Sequence, residues 1–245
     1  MSIVIRYPHD PVSGAPRPLP AETLWGVAAQ VRRQAMAGHR GFKLTAPALA
    51  AAAQTVVVNE RAISVAWDLE HAVHDAEGRS VLGVCQTDPE LMSTALVSIN
   101  ADVVTKRPEL ALSTVAHELG HVVFDVPSVL GTQARSYRVV TAHAGALLDR
   151  AAARSERRAN EFMGSLLAPP VPLHLRLLLH AHAERLRTVH APHRGRPGSR
   201  VLAADNPADA VAGVIAALAD DFGISEAFVR VRLARYHLVE GGELP

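Results

Sequence analysis

Strand-like and helix-like patterns occupy separate parts of this chain, and their separation limits the folds that are open to it. Short runs rich in β-branched residues fall between residues 56 and 100, at 63–67, 81–85 and 96–99. Turn-forming residues separate these runs, so they predict a small antiparallel sheet. Helical patterns precede and follow this region. The whole arrangement predicts an α+β fold.

Helical periodicity of apolar residues covers much of the remaining chain. The predicted helices span residues 22–36, 47–55, 108–126, 146–167, 173–190, 207–221 and 225–237. The helix at Pro108 starts with a residue whose fixed backbone angle suits a first turn, and it ends before Pro127. Residues 126–144 show no such period and are predicted to form a loop.

Four segments are expected along the chain. They are a flexible N-terminal segment at residues 1–20, a main α+β domain at 21–170, a connecting helix with a basic loop at 171–204, and a helical extension at 205–245. Five prolines between residues 8 and 20 favour an extended, poorly ordered lead-in.

Charge and cysteine content exclude several kinds of protein. The chain has 25 Lys and Arg against 24 Asp and Glu, so no overall field marks a dedicated binder of nucleic acid or membrane surfaces. Cys85 is the sole cysteine, which excludes an intramolecular disulfide and a multi-cysteine zinc site. Prolines and charges fill residues 1–14, where a secretory signal would be apolar. We expect a soluble, cytoplasmic protein without a membrane association.

The segment His117-Glu118-Leu119-Gly120-His121 has the HExxH pattern. Two histidines four residues apart project from the same face of a helix, so both imidazoles can hold one metal ion. Glu118 is rotated by about 100° from His117, which places its carboxylate beside the ion. There it can serve as general base for a water molecule that the metal activates. The pattern predicts a zinc peptidase.

The residues around this segment distinguish a buried site from a chance match. Thirteen histidines in one chain make an accidental HExxH conceivable. Apolar residues on the same helix indicate burial, however, so polar side chains cluster only where the metal is expected. These apolar residues are Val115, Leu119, Val122 and Val123. Gly120 costs about 1 kcal/mol relative to alanine inside a helix, which predicts a closely packed neighbour.

The third metal ligand is expected to be a carboxylate on the following helix. Pro127 stands six residues beyond His121, so the longer metzincin pattern does not apply. Glu156 can complete a His2Glu site, and Asn160, one turn later, can hydrogen-bond a ligating histidine. Glu161 is the rival carboxylate. It points about 140° away from Glu156 on a helix, so only one of them can serve.

Two motifs in this order resemble the ImmA/IrrE family of zinc metallopeptidases. The first is His117-Glu-Leu-Gly-His121. The second is Glu156-Arg-Arg-Ala-Asn160-Glu-Phe162-Met-Gly-Ser-Leu-Leu-Ala-Pro169, which is similar to the family's Glu-x-x-Ala-Asp/Asn-x-Phe-Ala-x-x-Leu-Leu-x-Pro signature. Linked motifs in the same order are more specific than either motif alone.

This resemblance implies a zincin-like domain with a gluzincin-like site and one Zn²⁺ per chain. It implies His117, His121 and Glu156 as metal ligands, Glu118 as the catalytic base and Asn160 as the outer partner of a ligand. Members of that family typically cleave or inactivate helix-turn-helix repressors and thereby release stress-response genes. The implied partner is therefore a protein substrate, a transcriptional repressor.

The chain departs from the family pattern in the stretch between the two motifs. This stretch is longer than is usual, and Asp125 stands where a histidine or another residue often follows. A tetrahedral intermediate needs a hydrogen-bond donor for its oxyanion. Tyr137, Arg138 and His143 are candidate donors, and each can also be read as an ordinary loop residue.

The C-terminal segment predicts a pair of helices similar to a helix-turn-helix, with Ser225 capping the second helix. Three arginines on that helix are candidate contacts to DNA phosphates or to a partner protein: Arg230, Arg232 and Arg235. A net charge near zero and the acidic pair Asp220 and Asp221 make DNA binding the less favoured reading. The competing functions are thus a DNA-binding regulator and a metal-binding scaffold without turnover; no oligomeric state is predicted.

Overall fold

The computed structural model describes residues 2–75, 78–87, 93–131, 150–193 and 196–241. The chain forms two compact units. The first comprises Met1–Arg40 and Leu44–Leu166, and the second comprises Gly41–Lys43 and Leu167–Pro245. The first unit therefore ends at Leu166, where residue 170 was predicted, and the predicted segments 171–204 and 205–245 belong to one unit.

The first unit has eleven elements within the described residues. They are β1 (Ile3–Ile5), α1 (Ala21–Ala35), α2 (Ala46–Ala52), β2 (Thr55–Val58), β3 (Arg61–Asp68), β4 (Gly83–Thr87), β5 (Thr94–Ile99), α3 (Ala101–Lys106), α4 (Pro108–Phe124), α5 (Val126–Gly131) and α6 (Arg150–Leu167). The fold is mixed α/β, in agreement with the coarse class expected from the sequence.

The strands form one five-stranded sheet in the order β1-β2-β3-β5-β4. β2 pairs with β3, and β4 with β5, in antiparallel fashion. β1 pairs with β2, and β3 with β5, in parallel fashion, so the prediction of a purely antiparallel sheet is wrong. Parallel neighbours require a crossover connection. α1 and α2 supply it between β1 and β2.

The N-terminal segment makes contacts with distant parts of the first unit. Ile3 and Ile5 are buried in β1, and the Tyr7 hydroxyl donates a hydrogen bond to the Val123 carbonyl at 2.7 Å. Gly14 has a positive φ, and a Cβ there would lie 2.7 Å from the Pro127 carbonyl oxygen. The segment predicted to be flexible, residues 1–20, thus includes a paired strand and makes long-range contacts.

α4 begins at Pro108 and is buried along most of its length. It packs against β4 and β5 on one side and against α2 and α3 elsewhere. Residues 126–131, predicted to be loop, form α5, because the Asp125 carbonyl accepts hydrogen bonds from the Ser128 and Val129 amides and starts a new turn.

α6 crosses α4 at a pair of small residues. A Cβ on Gly120 would lie 3.0 Å from Ala159 Cα and 3.3 Å from Phe162 Cδ1. Glycine is therefore needed for the close approach, which confirms the expectation of a packed neighbour. On α6, Ala159, Phe162 and Leu166 are fully buried, and Glu156 lies on the adjacent face. The crossing brings the second motif next to the first.

The second unit contains a helix, a hairpin and two further helices. They are α7 (Pro170–Ala183), β6 (Thr188–His193), β7 (Arg196–Leu202), α8 (Ala208–Phe222) and α9 (Glu226–Arg235). The predicted helix at 173–190 ends early, at Ala183, and antiparallel pairing with β7 makes residues 188–193 a strand. Of the basic loop predicted at 193–198, the described residues belong to β6 and β7. Ser225 caps α9 as predicted, accepting a hydrogen bond from the Phe228 amide.

Among the described residues, no single helix is both long and apolar enough to cross a membrane. One bent pair of helices, Arg150–Leu167 with Pro170–Ala183, is together long and apolar enough for a membrane span, by length and composition alone.

Candidate metal site

His117 and His121 of α4 and Glu156 of α6 converge at one place. Their ligand atoms all lie within 4.8 Å of one another. The two Nε2 atoms are 3.1 Å apart, and each lies 3.4 Å from an oxygen of Glu156. Ligands held about 2.0–2.2 Å from a tetrahedral ion are roughly 3.4 Å from each other. The three side chains could therefore hold a metal ion.

Hydrogen bonds to the outer ring nitrogens orient both imidazoles. His117 Nδ1 lies 3.2 Å from Asn160 Oδ1, as predicted for an outer partner, and His121 Nδ1 lies 2.7 Å from Asp125 Oδ2. Both partner atoms are acceptors, so each Nδ1 carries a hydrogen and each Nε2 presents a lone pair. Two lone pairs and a carboxylate then face one point, where only a cation or a proton relieves their repulsion.

Without a metal ion, the surroundings of His121 favour its protonated form. Burial alone would lower the pKa of His121, but its hydrogen bonds to Asp125 and Glu156 raise that pKa to about 9. Burial would raise the pKa of Glu156, yet hydrogen bonds to His117 and His121 lower it to about 2. A metal ion that binds here must displace the proton of His121.

Glu118 lies beside the three ligands without joining them. Its side chain is buried, and its Oε2 atom has no hydrogen-bond partner within the part of the chain that the structure describes. Burial raises the pKa of Glu118 to about 7, against the lowering effect of the two histidines. A buried oxygen without a hydrogen-bond partner is energetically costly. Its position beside the three candidate ligands fits a site in which a metal ion brings a polar group, such as water, to this oxygen.

His117, Glu118 and Glu156 line a cleft with a volume of about 240 Å³. The rest of its lining is neutral: Leu82, Gly83, Leu110, Ser113, Thr114, Asn160 and Met163. Gly83 is the first residue of strand β4, and a Cβ there would lie 2.7 Å from Thr114 Cγ2 and 3.2 Å from Glu118 Oε1. The titratable side chains of this lining are therefore His117, Glu118 and Glu156.

Glu161, the rival third ligand, does not approach the histidines. It accepts a hydrogen bond from Trp25 Nε1 at 2.5 Å. This contact follows from its position on the helix, about 140° away from Glu156. Glu156 is therefore the carboxylate that the fold brings to the two histidines.

Three residues at the site had no role in the sequence interpretation: Asp125, Ser155 and Arg158. Asp125 follows His121 by four residues, and that spacing places its carboxylate on the same helical face. This signal was present in the sequence. Ser155 and Arg158 approach Asp125 only because α6 crosses α4, so no local pattern could have identified them.

The candidate oxyanion donors Tyr137, Arg138 and His143 lie outside the described residues. Of the candidate DNA contacts on α9, Arg235 is exposed and Arg230 is partly exposed. Arg232 is only 8% exposed, and its guanidinium lies 5.5 Å from the centre of the Tyr236 ring. The prediction that Arg232 meets phosphates is wrong, since that position shares the buried face of α9.

No protein-family model matches the chain, and no curated protein matches it.

Proposed function

We propose that this protein is a zinc-dependent endopeptidase. His117, His121 and Glu156 hold one zinc ion, and Glu118 is the general base. Two neutral imidazoles with one carboxylate are a ligand set typical of catalytic zinc, which keeps a coordination position open. The proposal depends chiefly on one observation, the convergence of these three side chains beside a buried carboxylate oxygen that has no partner among the described residues.

The bound zinc would supply Lewis-acid activation of a water molecule and of the scissile carbonyl group. Glu118 accepts the proton of that attacking water at Oε2 and delivers it to the leaving amine. Burial raises the pKa of Glu118 to about 7 without a metal ion, and a bound cation would lower that pKa, so Glu118 would be the carboxylate that a general base needs near neutral pH. Asn160 keeps the Nε2 atom of His117 directed at the ion, through its hydrogen bond to Nδ1.

The cleft supports an extended peptide as substrate. β4 is the last strand of the sheet order and lies against α4, with Gly83 close to Glu118. A peptide that adds to such a strand edge presents its backbone to the neighbouring site. The resemblance of the two motifs to the ImmA/IrrE family favours a helix-turn-helix repressor in the cytoplasm as the natural substrate.

A Glu118→Gln substitution tests the proposed function. The amide cannot accept a proton, so we expect the variant to keep one zinc per chain while cleavage falls by about 10²–10⁴-fold. Zinc content is measured by elemental mass spectrometry, and cleavage by mass spectrometry of repressors encoded near this protein's gene. Glu161→Gln is the matched control, because it alters a carboxylate of α6 outside the ligand set.

Three results would contradict the proposal. Wild-type protein that binds no zinc would remove the metal centre. Zinc-loaded Glu118→Gln protein that cleaves as fast as wild type would remove the general base. A wild-type protein that binds zinc but cleaves none of the repressors would favour the metal-binding scaffold instead.

DNA binding through α9 has less support than hydrolysis. Arg232, one of the three arginines predicted to contact phosphates, is buried, and Arg230 is only partly exposed. Of these three arginines, only Arg235 is exposed.

A further inference from the structure

We infer that Asp125 is a positioning residue that fixes His121 and joins the two ligand-bearing helices before any metal binds. This inference depends on the proposed metal centre. It concerns a carboxylate that neither of the two linked motifs includes. Asp125 is 7% exposed and stands directly after the last residue of α4.

Each oxygen of the Asp125 carboxylate has a defined partner. Oδ2 accepts hydrogen bonds from His121 Nδ1 at 2.7 Å and from Ser155 Oγ at 2.5 Å. Oδ1 accepts a hydrogen bond from Arg158 Nη2 at 2.5 Å. Charged hydrogen bonds of this kind are stronger than neutral ones. One side chain of α4 is thus bound to two side chains of α6.

The positions of these partners on α6 explain what the contact achieves. Ser155 immediately precedes the ligand Glu156, and Arg158 follows that ligand by two residues. Holding both to Asp125 fixes the rotation of α6 about its axis, and that rotation decides whether Glu156 faces His117 and His121. Arg158 also lies over the Phe124 ring, with 5.7 Å between its guanidinium carbon and the ring centre.

The same carboxylate acts on His121 itself. Because Asp125 accepts a hydrogen bond from the Nδ1–H group, it fixes the imidazole tautomer and makes Nε2 a better electron-pair donor. Asn160 does this for His117 with a neutral amide, whereas Asp125 does it with a charge. The hydrogen bond that orients His121 is therefore stronger than the one that orients His117.

Zinc affinity of the full-length protein tests this inference without any need for a substrate. Zinc dissociation constants are measured by competition with a chromogenic chelator, and thermal unfolding of the metal-free protein is recorded in parallel. Asp125→Asn removes the charge, and we expect zinc to bind about 10–100-fold more weakly, as is typical when an outer partner of a ligand is lost. The visible spectrum of the Co²⁺-loaded protein should shift, because the geometry around His121 relaxes.

Two further variants separate positioning from general stability. Ser155→Ala keeps the carboxylate and removes one of its hydrogen bonds, so we expect a smaller loss of affinity, roughly threefold to tenfold. It keeps the test valid if Asp125→Asn fails to fold. Asp75→Asn is the matched control, since Asp75 is a buried carboxylate paired with Arg79 in a turn. This control should lower the unfolding temperature and leave zinc affinity unchanged.

The inference is overturned if folded Asp125→Asn, or Ser155→Ala where the former does not fold, binds zinc within twofold of wild type with an unchanged Co²⁺ spectrum. A loss of affinity equal to that of Asp75→Asn would also overturn it, because the effect would then be one of stability alone. Absence of zinc binding by the wild type would instead refute the proposed metal centre, on which the inference depends.

Discussion

α4 and α9 both carry ionisable side chains within apolar helical patterns, yet the two helices bury them for different reasons. On α4, the buried His117 and His121 meet a carboxylate from another helix and form a candidate metal site. On α9, the buried Arg232 lies over Tyr236. Burial of a polar residue therefore indicates function only when the groups that face it are complementary and convergent. The five experiments, including Glu118→Gln and Asp125→Asn above, test this distinction.

The largest effect is expected from removing a ligand of the α4 site. Glu156→Ala should lower zinc affinity by more than the roughly 10–100-fold that is typical when a hydrogen-bond partner of a ligand is lost, because only two imidazoles remain to hold the ion. Zinc stoichiometry after dialysis measures this loss. Glu161→Ala, on the same helix, should keep its zinc. Equal zinc content in the two variants would show that Glu156 is not a ligand.

A smaller effect is expected from Gly83→Ala, which adds a methyl group next to the same helix. The new Cβ crowds Thr114 Cγ2 and Glu118 Oε1, so we expect a loss of about 1–3 kcal/mol in the free energy of unfolding together with reduced cleavage. Adding Thr114→Ser removes the crowded methyl group and should restore stability, but not cleavage, because Glu118 is still displaced. Denaturant titration and the cleavage assay measure the two quantities.

Gly26→Ala is the control for that substitution. A Cβ on Gly26 in α1 meets no atom within 4 Å, and alanine favours a helix by about 1 kcal/mol relative to glycine. It should therefore be neutral or stabilising. Full cleavage by the Gly83→Ala and Thr114→Ser double variant would show that the approach of β4 to Glu118 is irrelevant to the reaction.

The smallest effects concern α9. Arg232→Ala should cost about 1–3 kcal/mol of stability, because a buried, packed side chain is lost. Arg235→Ala should stay within the roughly 0.5 kcal/mol that is usual for surface substitutions. Chemical denaturation measures both. Loss of salt-dependent duplex binding in Arg235→Ala, with wild-type stability, would instead indicate that α9 contacts DNA.

Local spacing was enough to predict a substantial part of the candidate site. His117, Glu118 and His121 lie within one helix, where 3.6 residues per turn fix their relative directions. Pro108 and Ser225 mark helix starts through their own backbone chemistry, and both predictions are confirmed. Gly120 predicted a closely packed neighbour, because glycine is less favourable than alanine inside a helix. Each of these inferences needed only a few consecutive residues.

Predictions that needed a partner from elsewhere in the chain were less successful. Local patterns do not predict the short strand β1, which is defined by its pairing with β2. Residues 188–193 were assigned partly to a helix, although pairing with β7 makes them a strand. Arg232 was expected on the surface, yet it is buried. A strand or a buried face is defined by what lies opposite, which periodicity does not reveal.

The sequence by itself determined the two imidazoles, the adjacent carboxylate and the helix that carries them, because these depend on covalent spacing and helical geometry. It offered Glu156 and Glu161 as alternatives, and the tertiary structure decided between them through the crossing of α6 over Gly120. The tertiary structure alone brought Ser155 and Arg158 to Asp125. Contacts between distant segments depend on how whole surfaces pack, and no short stretch of sequence encodes that.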